Sequence, residues 1–161
     1  PDSNGQHLYN CKLDLDEESL GLNSSSTERL EASWPDLLKP EGEDMSFWIS
    51  QYHKHGSCSQ PLYDPQEYFL KALELKDRFD ILTILEQGGI YPGKENSRSR
   101  VMSVINQATR GNPRLLCNMP KKKILREIVI CTNIGGTRVI PCPFPNFRTC
   151  GPESNLHDLS N

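Results

Sequence analysis

Hydrophobic and polar residues follow two different periods along this chain, and the period changes near residue 110. Before that point apolar residues recur every three or four positions, which predicts amphipathic helices. The predicted helices span residues 27–38, 47–58, 64–78, 80–87 and 97–109. After that point, short apolar or alternating runs separated by turn residues predict strands at 112–117, 124–132 and 138–143. The pattern therefore indicates helices first and a sheet last.

Single residues locate some helix boundaries. Asp64 is followed by a proline and, three positions on, by Glu67, which is typical of a capped first helical turn. Pro35 interrupts the helical pattern of residues 27–38. Three apolar residues of that segment are expected to face inward: Leu30, Trp34 and Leu37.

Length and composition suit a single domain that occupies residues 1–150. The chain has 161 residues, of which 35% are hydrophobic, and its mean hydropathy of −0.59 is typical of a polar, loop-rich secreted protein. It contains no apolar run of the roughly 18 residues that a membrane-spanning helix needs. Residues 151–161 have no core pattern and are expected to form a flexible tail.

The six cysteines bear on the cellular compartment in which the protein folds. An even count in a chain of this kind favours disulfides formed outside the cytosol, so we expect a secreted, extracellular protein. Six cysteines allow fifteen connectivities, between which spacing alone does not choose. Zinc is the competing interpretation, but the cysteines are scattered and form no CxxC pair, so no metal is expected.

One surface motif stands apart from the core pattern. Residues 23–25 read Asn-Ser-Ser, which is an N-glycosylation sequon. A serine run follows the asparagine and is typical of an exposed turn. Asn23 is therefore a candidate glycosylation site.

The segment from Phe47 to Cys58, FWISQYHKHGSC, carries the densest chemistry. With helical spacing, Gln51, Lys54 and His55 would share one face, and an apolar stripe would lie beside them. Imidazole can move a proton in either direction near neutral pH, and a lysine ammonium can stabilise negative charge on an oxygen. Such a pair suits phosphoryl transfer. Alternatively, both cations merely favour the negative end of a helix dipole.

The same segment closely resembles the second active-site segment of the ribonuclease T2 family, approximately FWxxEWxKHGTC. The matching residues are Phe47, Trp48, Lys54, His55, Gly56 and Cys58. Gln51 replaces the family's acid, and Ser50 occupies the place of a phosphate-binding histidine found in some members. The resemblance implies catalytic roles for His55, Lys54 and Gln51, and substrate-binding roles for Ser50, Trp48 and Tyr52.

The start of the chain adds a second resemblance. Pro1 to Gly5 look like the residues that follow HGLW in the family's first active-site segment, which carries the other catalytic histidine. His7 lacks that context and is not assigned this role. The resemblance implies an α+β fold with a central antiparallel sheet flanked by helices, of which this chain lacks the first strand or strands. It also implies disulfides Cys11–Cys58, Cys117–Cys150 and Cys131–Cys142.

The implied function is metal-free cleavage of single-stranded RNA through a 2′,3′-cyclic phosphate, by a monomer without cofactors. In the self-incompatibility branch of the family, pollen F-box proteins would be further partners. The alternatives are an S-like ribonuclease of defence or phosphate scavenging, and a catalytically inactive binding or storage protein. This chain alone, without the upstream histidine, is expected to be inactive.

Charge bears on these alternatives. The formal net charge is −3 and the isoelectric point is near 5.8, whereas the self-incompatibility branch is commonly basic. Stable RNA binding usually needs a basic face, so brief and local binding is expected. The basic run 121–123 is interpreted as a solvated loop.

Overall fold

The computed structural model describes Cys11, Asp16 and residues 18–60, 62–118, 124–143, 150–151 and 155–156. His7, the basic run 121–123 and residues 144–149 lie outside these residues. The backbone forms two compact units, Pro1–Asp77 and Arg78–Asn161. A single domain over residues 1–150 stays a prediction. No helix within the described ranges is long and apolar enough to cross a membrane.

The first unit is helical over the described residues. Its α-helices are α1 (Ser24–Ser33), α2 (Met45–Gln51) and α3 (Pro65–Arg78). A short 3₁₀ turn at Glu18–Leu20 precedes α1. Between α2 and α3 come a π-helical turn, Tyr52–Gly56, and a 3₁₀ turn, Ser57–Ser59.

The ends of α1 follow local chemistry. The Oδ1 atom of Asn23 accepts a hydrogen bond from the Ser26 backbone N–H at 2.9 Å and caps the first turn. The helix ends at Ser33 because a residue that precedes proline avoids helical geometry, and Trp34 has φ −149° and ψ 55°. The chain then turns away, leaving Leu37 89% exposed. The prediction that Leu37 faces inward is wrong.

The start of α3 confirms the predicted cap. The Asp64 carboxylate accepts from the Glu67 backbone N–H at 2.8 Å, and the Glu67 carboxylate accepts from the Asp64 N–H at 3.0 Å. This reciprocal pair satisfies two donors that the first helical turn would leave unpaired. Asp44 precedes α2 but its side chain does not cap it. Its buried carboxylate instead accepts a hydrogen bond from the Asp36 N–H.

Aromatic and leucine side chains form the core of the first unit. Its fully buried members are Leu20, Leu30, Trp48, Tyr52, Phe69 and Leu73. Trp34 packs edge-on against Phe69 with ring centroids 5.8 Å apart. The Nε1 atom of Trp48 donates to the Trp34 carbonyl at 2.8 Å, so this indole is both buried and hydrogen-bonded.

The second unit combines two helices with short antiparallel strands. The helices are α4 (Ile81–Gln87) and α5 (Arg98–Thr109). The strands are β1 (Asn96–Ser97), β2 (Arg114–Asn118), β3 (Ile124–Val129) and β4 (Asn155–Leu156). β2 pairs with β3, with a register shift at Leu116/Cys117, and β1 pairs with β4. Helices with antiparallel strands confirm the predicted α+β class.

One sequence prediction fails in this unit, and the burial of one residue was not predicted. The strand predicted at 138–143 contributes only an isolated bridge between Thr132 and Val139. Pro141 and Pro143 have no N–H to donate to a ladder, which limits pairing there. Within the predicted flexible tail, Leu156 is only 2% exposed and packs in the core of the second unit. One buried leucine creates no periodicity that a sequence pattern could reveal.

All three disulfides are those that the resemblance implied. Cys11 is bonded to Cys58, Cys117 to Cys150 and Cys131 to Cys142. Cys117 and Cys150 are also buried members of the second unit's core. The bond from Cys11 to Cys58 closes directly behind the π-helical turn.

Removing the disulfides should destabilise the second unit in order of loop length. Cys117 and Cys150 are 33 positions apart, whereas Cys131 and Cys142 are 11 apart. Because a longer closed loop restricts the unfolded chain more, we expect the paired alanine replacements to cost about 4 and about 3 kcal/mol respectively. Urea unfolding of each double variant measures these values. Equal costs, or the reverse order, would contradict the loop-entropy explanation.

Candidate functional site

The segment with the densest chemistry is not a regular α-helix. After α2 the backbone widens into the π-helical turn Tyr52–Gly56, in which the Ser57 N–H donates to the Tyr52 carbonyl five residues back. The spacing of 3.6 residues, on which a shared face for Gln51, Lys54 and His55 was predicted, therefore does not hold here. Gln51 is half-buried, whereas Lys54 and His55 are exposed. Turns of this kind are frequent at functional sites.

Gly56 makes the turn possible by leaving space for an aromatic ring. A Cβ atom at this position would lie 2.5 Å from Cδ2 of Tyr52 and 3.1 Å from Cε1 of Tyr68. The backbone of Gly56 has an ordinary φ of −97°, so the requirement for glycine is one of space and not of conformation. The Tyr52 ring thus packs directly on the backbone that follows Lys54 and His55.

Two serine hydroxyls complete the end of the turn. Ser57 Oγ donates to the His53 carbonyl at 2.8 Å, and Ser59 Oγ donates to the Gly56 carbonyl at 2.6 Å. Ser57 is 2% exposed, so its bond is shielded from water. These bonds satisfy carbonyl groups that a helix end would otherwise leave unpaired. Cys58, disulfide-bonded to Cys11, fixes the same end covalently.

Lys54 and His55 themselves remain available. Within the described part of the chain, neither side chain forms a hydrogen bond or an ion pair, and both are exposed. Their backbone is fixed by neighbouring residues while their polar ends face solvent. An imidazole can accept or donate a proton, and an ammonium can attract a phosphate oxygen. This arrangement is suited to proton transfer at an anionic substrate.

Two of the three predicted substrate-binding residues are buried. Trp48 is 1% exposed and Tyr52 is 0% exposed, because both belong to the core of the first unit. In this structure both rings pack inside the first unit, and their predicted substrate-binding roles stay predictions. Ser50 is half-buried. Its predicted role stays a prediction.

A pair of packed tyrosines, Tyr52 buried and Tyr68 half-buried, lies beneath the turn, and no sequence pattern signalled it. The rings of Tyr52 and Tyr68 lie edge-on with centroids 5.3 Å apart. The Tyr52 hydroxyl is buried and has no hydrogen-bond partner among the described residues. Burial raises the pKa of Tyr52, and the negative charge of Asp64 adds to this effect. Burial, followed by the influence of Tyr52, also raises the pKa of Tyr68.

Together these features define a disulfide-linked α+β protein with an exposed lysine and histidine on a constrained helical turn. The model of the ribonuclease T2 family matches residues 1–142. The chain belongs to the ribonuclease T2 family.

Curated relatives include several kinds of plant protein. Ribonuclease S-6 of Nicotiana alata is 33% identical over 158 residues, which cover 96% of this chain and 71% of that protein. Extracellular ribonuclease LE of Solanum lycopersicum is 33% identical, covering 76% of this chain and 55% of that protein. A ribonuclease-like storage protein of Panax ginseng is 31% identical, covering 86% and 62%. The chain thus spans between 55% and 71% of the length of these relatives.

Solved structures share the fold. The self-incompatibility-associated SF11-RNase of Nicotiana alata superimposes with a TM-score of 0.82 at 28% identity, covering 94% of this chain and 78% of that one. RNase NT in complex with 5′-AMP superimposes with a TM-score of 0.78 at 26% identity, covering 96% and 77%.

Replacing Gly56 with alanine should destabilise the turn. The added methyl group would overlap the Tyr52 ring, and overpacking of this kind costs about 1–3 kcal/mol. Urea unfolding of Gly56→Ala measures the cost, with Ser46→Ala at an exposed position of α2 as the control. In a Tyr52→Val background the cost of Gly56→Ala should fall. An unchanged cost there would show that the ring is not its cause.

The Tyr52 hydroxyl should make stability fall at alkaline pH. Because the folded pKa is raised above the unfolded value of about 10, its contribution is fully present below pH 10 and is lost as pH rises through the folded pKa. Tyr52→Phe should reduce this loss and, by removing an unpaired buried hydroxyl, gain about 1 kcal/mol at neutral pH.

Unfolding of Tyr52→Phe as a function of pH measures both effects. Tyr91→Phe is the matched control because its side chain is 47% exposed. A substantial loss of stability in Tyr52→Phe at neutral pH would reveal a hydrogen bond to this hydroxyl.

Proposed function

We propose that this chain is part of an endoribonuclease that cleaves single-stranded RNA through a 2′,3′-cyclic phosphate. The observation that carries the proposal is the exposed pair Lys54 and His55 on a turn fixed by Tyr52, two serine hydroxyls and a disulfide. Membership of the ribonuclease T2 family supports it. The reaction needs a proton carrier and a cation, which this pair supplies.

The proposed reaction balances without a metal. One histidine takes the proton from the ribose 2′-OH, and the resulting oxygen attacks the adjacent phosphorus. The bond from phosphorus to the 5′ oxygen then breaks, and the other histidine returns a proton to that oxygen. His55 is one member of the pair, and Lys54 stabilises the negative charge on the phosphorane.

The second histidine is proposed to lie in a segment that precedes Pro1. The relatives are longer than this chain, and residues 1–5 resemble those that follow the family's first histidine. This segment is proposed to pair with a strand of the second unit. Among the described strands β3 pairs only with β2. Nearby lies a groove of about 360 Å³ whose apolar lining includes Leu82, Leu85, Leu125 and Ile128.

Gln51 is proposed to orient Lys54 or the phosphate without ionising. An amide preserves hydrogen bonding at the place of the family's acid but cannot carry its charge. Gln51 is half-buried, so a substrate phosphate could contact only the exposed side of its amide. Gln51→Glu in the longer protein is therefore expected to raise turnover.

The protein is further proposed to be secreted and to act as a monomer. Three disulfides support an oxidising compartment, as does similarity to an extracellular ribonuclease. Similarity to ribonuclease S-6 and to the SF11-RNase favours a role in self-incompatibility, in which pollen F-box proteins would be partners. The S-like function is the alternative within the same chemistry.

A second candidate function is that of a catalytically inactive storage or binding protein. Two observations favour it. Gln51 replaces the family's acid, and a ribonuclease-like storage protein is among the relatives.

The test compares two histidines that are two residues apart. In a form extended upstream through the first active-site segment, His55→Gln should reduce cleavage of single-stranded RNA by about 10²-fold or more, because it removes a proton carrier. His53→Gln should retain most activity, since His53 is half-buried and is not assigned to the reaction. Both are assayed with a chelator present, and circular dichroism checks that each variant is folded.

The outcomes separate the candidates. Equal activity of His55→Gln and the parent would refute the assigned role. A folded extended form that is inert, with or without Gln51→Glu, would favour the storage or binding function. Cleavage that stops on adding the chelator would contradict a metal-free mechanism.

A further inference from the structure

We propose that Asn23 carries an N-linked glycan on Nδ2 while Oδ1 of the same side chain caps α1. The inference rests on the proposed passage through a secretory pathway, because the modification occurs only there. It does not depend on RNA cleavage. The sequon Asn-Ser-Ser at residues 23–25 is the only one in the chain, so a single attachment point is available.

The structure separates the two polar atoms of the Asn23 amide. Oδ1 faces the helix, where it accepts from the Ser26 N–H at 2.9 Å. Asn23 is exposed, and so are Ser24 and Ser25. Within the described residues Nδ2 makes no hydrogen bond that a sugar would have to break. An N-linked glycan needs only this nitrogen, so the cap survives the modification.

The backbone around Asn23 also leaves the attachment point at the surface. Asn23 is extended, with φ −90° and ψ 167°, and lies directly before the first helical residue. The backbone carbonyl of Asn23 accepts two hydrogen bonds from Thr27, one from its N–H at 2.9 Å and one from its Oγ1 at 3.1 Å. These hydrogen bonds hold the backbone carbonyl of Asn23 against the first turn of α1. The side chain of Asn23, which carries Nδ2, belongs to an exposed residue.

The required co-reactant is a lipid-diphosphate-linked oligosaccharide. Nδ2 loses a proton and forms a bond to the anomeric carbon of the first sugar. The bond from that carbon to the diphosphate oxygen breaks, and the lipid diphosphate leaves with the electron pair. The side-chain carbonyl is unchanged and keeps its acceptor lone pairs.

The experiment expresses the full chain behind a secretory signal in eukaryotic cells and treats the total cellular and secreted protein with peptide N-glycosidase. We expect one glycosylated species that falls to the polypeptide mass, with the modified peptide containing Asn23. Ser25→Ala destroys the sequon but keeps the cap, so its mass shift should disappear. Ser24→Ala is the matched control, because it keeps both sequon and cap and should retain the shift.

The variant Asn23→Asp removes the glycosylation site but keeps the helix cap. Aspartate preserves an acceptor oxygen but cannot be glycosylated, so this variant should lack the mass shift and melt at the same temperature as Ser25→Ala, which keeps an unmodified asparagine as the cap. An unshifted wild-type chain would overturn the proposal, as would a shift that persists in Ser25→Ala. Because the readout is mass in all cellular fractions, neither misfolding of a variant nor absence of ribonuclease activity would obscure the result.

Discussion

The contact between the Tyr52 ring and the Gly56 backbone is the constraint on which the candidate site depends. A ring can approach the chain this closely only where no Cβ intervenes. A Cβ at residue 56 would lie 2.5 Å from the ring, which excludes every residue except glycine in this conformation. The backbone passes over the ring as a π-helical turn, in which Ser57 bonds five residues back. That wider turn presents Lys54 and His55 to solvent, so a requirement for space inside the core determines which side chains are accessible outside it.

In the candidate site, the residues that hold the turn in place differ from those that present polar groups to solvent. Tyr52 lies among aromatic neighbours, with Tyr68 at 5.3 Å and Phe69 at 6.2 Å between ring centroids, so the turn is anchored to α3 through packed rings. Lys54 and His55 contribute nothing to that anchoring. Functional groups held in place by the packing of other residues can meet a substrate without first breaking contacts of their own. The same division accounts for the burial of Trp48 and Tyr52, two aromatic residues of the motif.

The sequence predicted those features that depend on neighbours in the chain. The cap formed by Asp64 and Glu67 is local chemistry, and it located the start of α3 correctly. Membership of the ribonuclease T2 family was also predictable, from the residue types of the segment 47–58. The π-helical turn was not, because it depends on how the Tyr52 ring packs in three dimensions. The buried position of Leu156 was equally hidden, since its strand partner, Asn96, lies far earlier in the chain.

The structure also bears on whether Lys54 and His55 have a structural role at the end of the helical segment. Lysine and histidine are favoured there by the dipole and by unpaired carbonyl groups, which would make Lys54 and His55 structural. In this turn, however, the hydroxyls of Ser57 and Ser59 already donate to the carbonyls of His53 and Gly56. The cationic side chains are therefore not needed as caps. Residues 45–60 also contain no acid, so the local charge is positive although the chain is acidic overall. Because salt screens charges beyond about 10 Å, an approaching phosphate would respond to this local charge more than to the net charge.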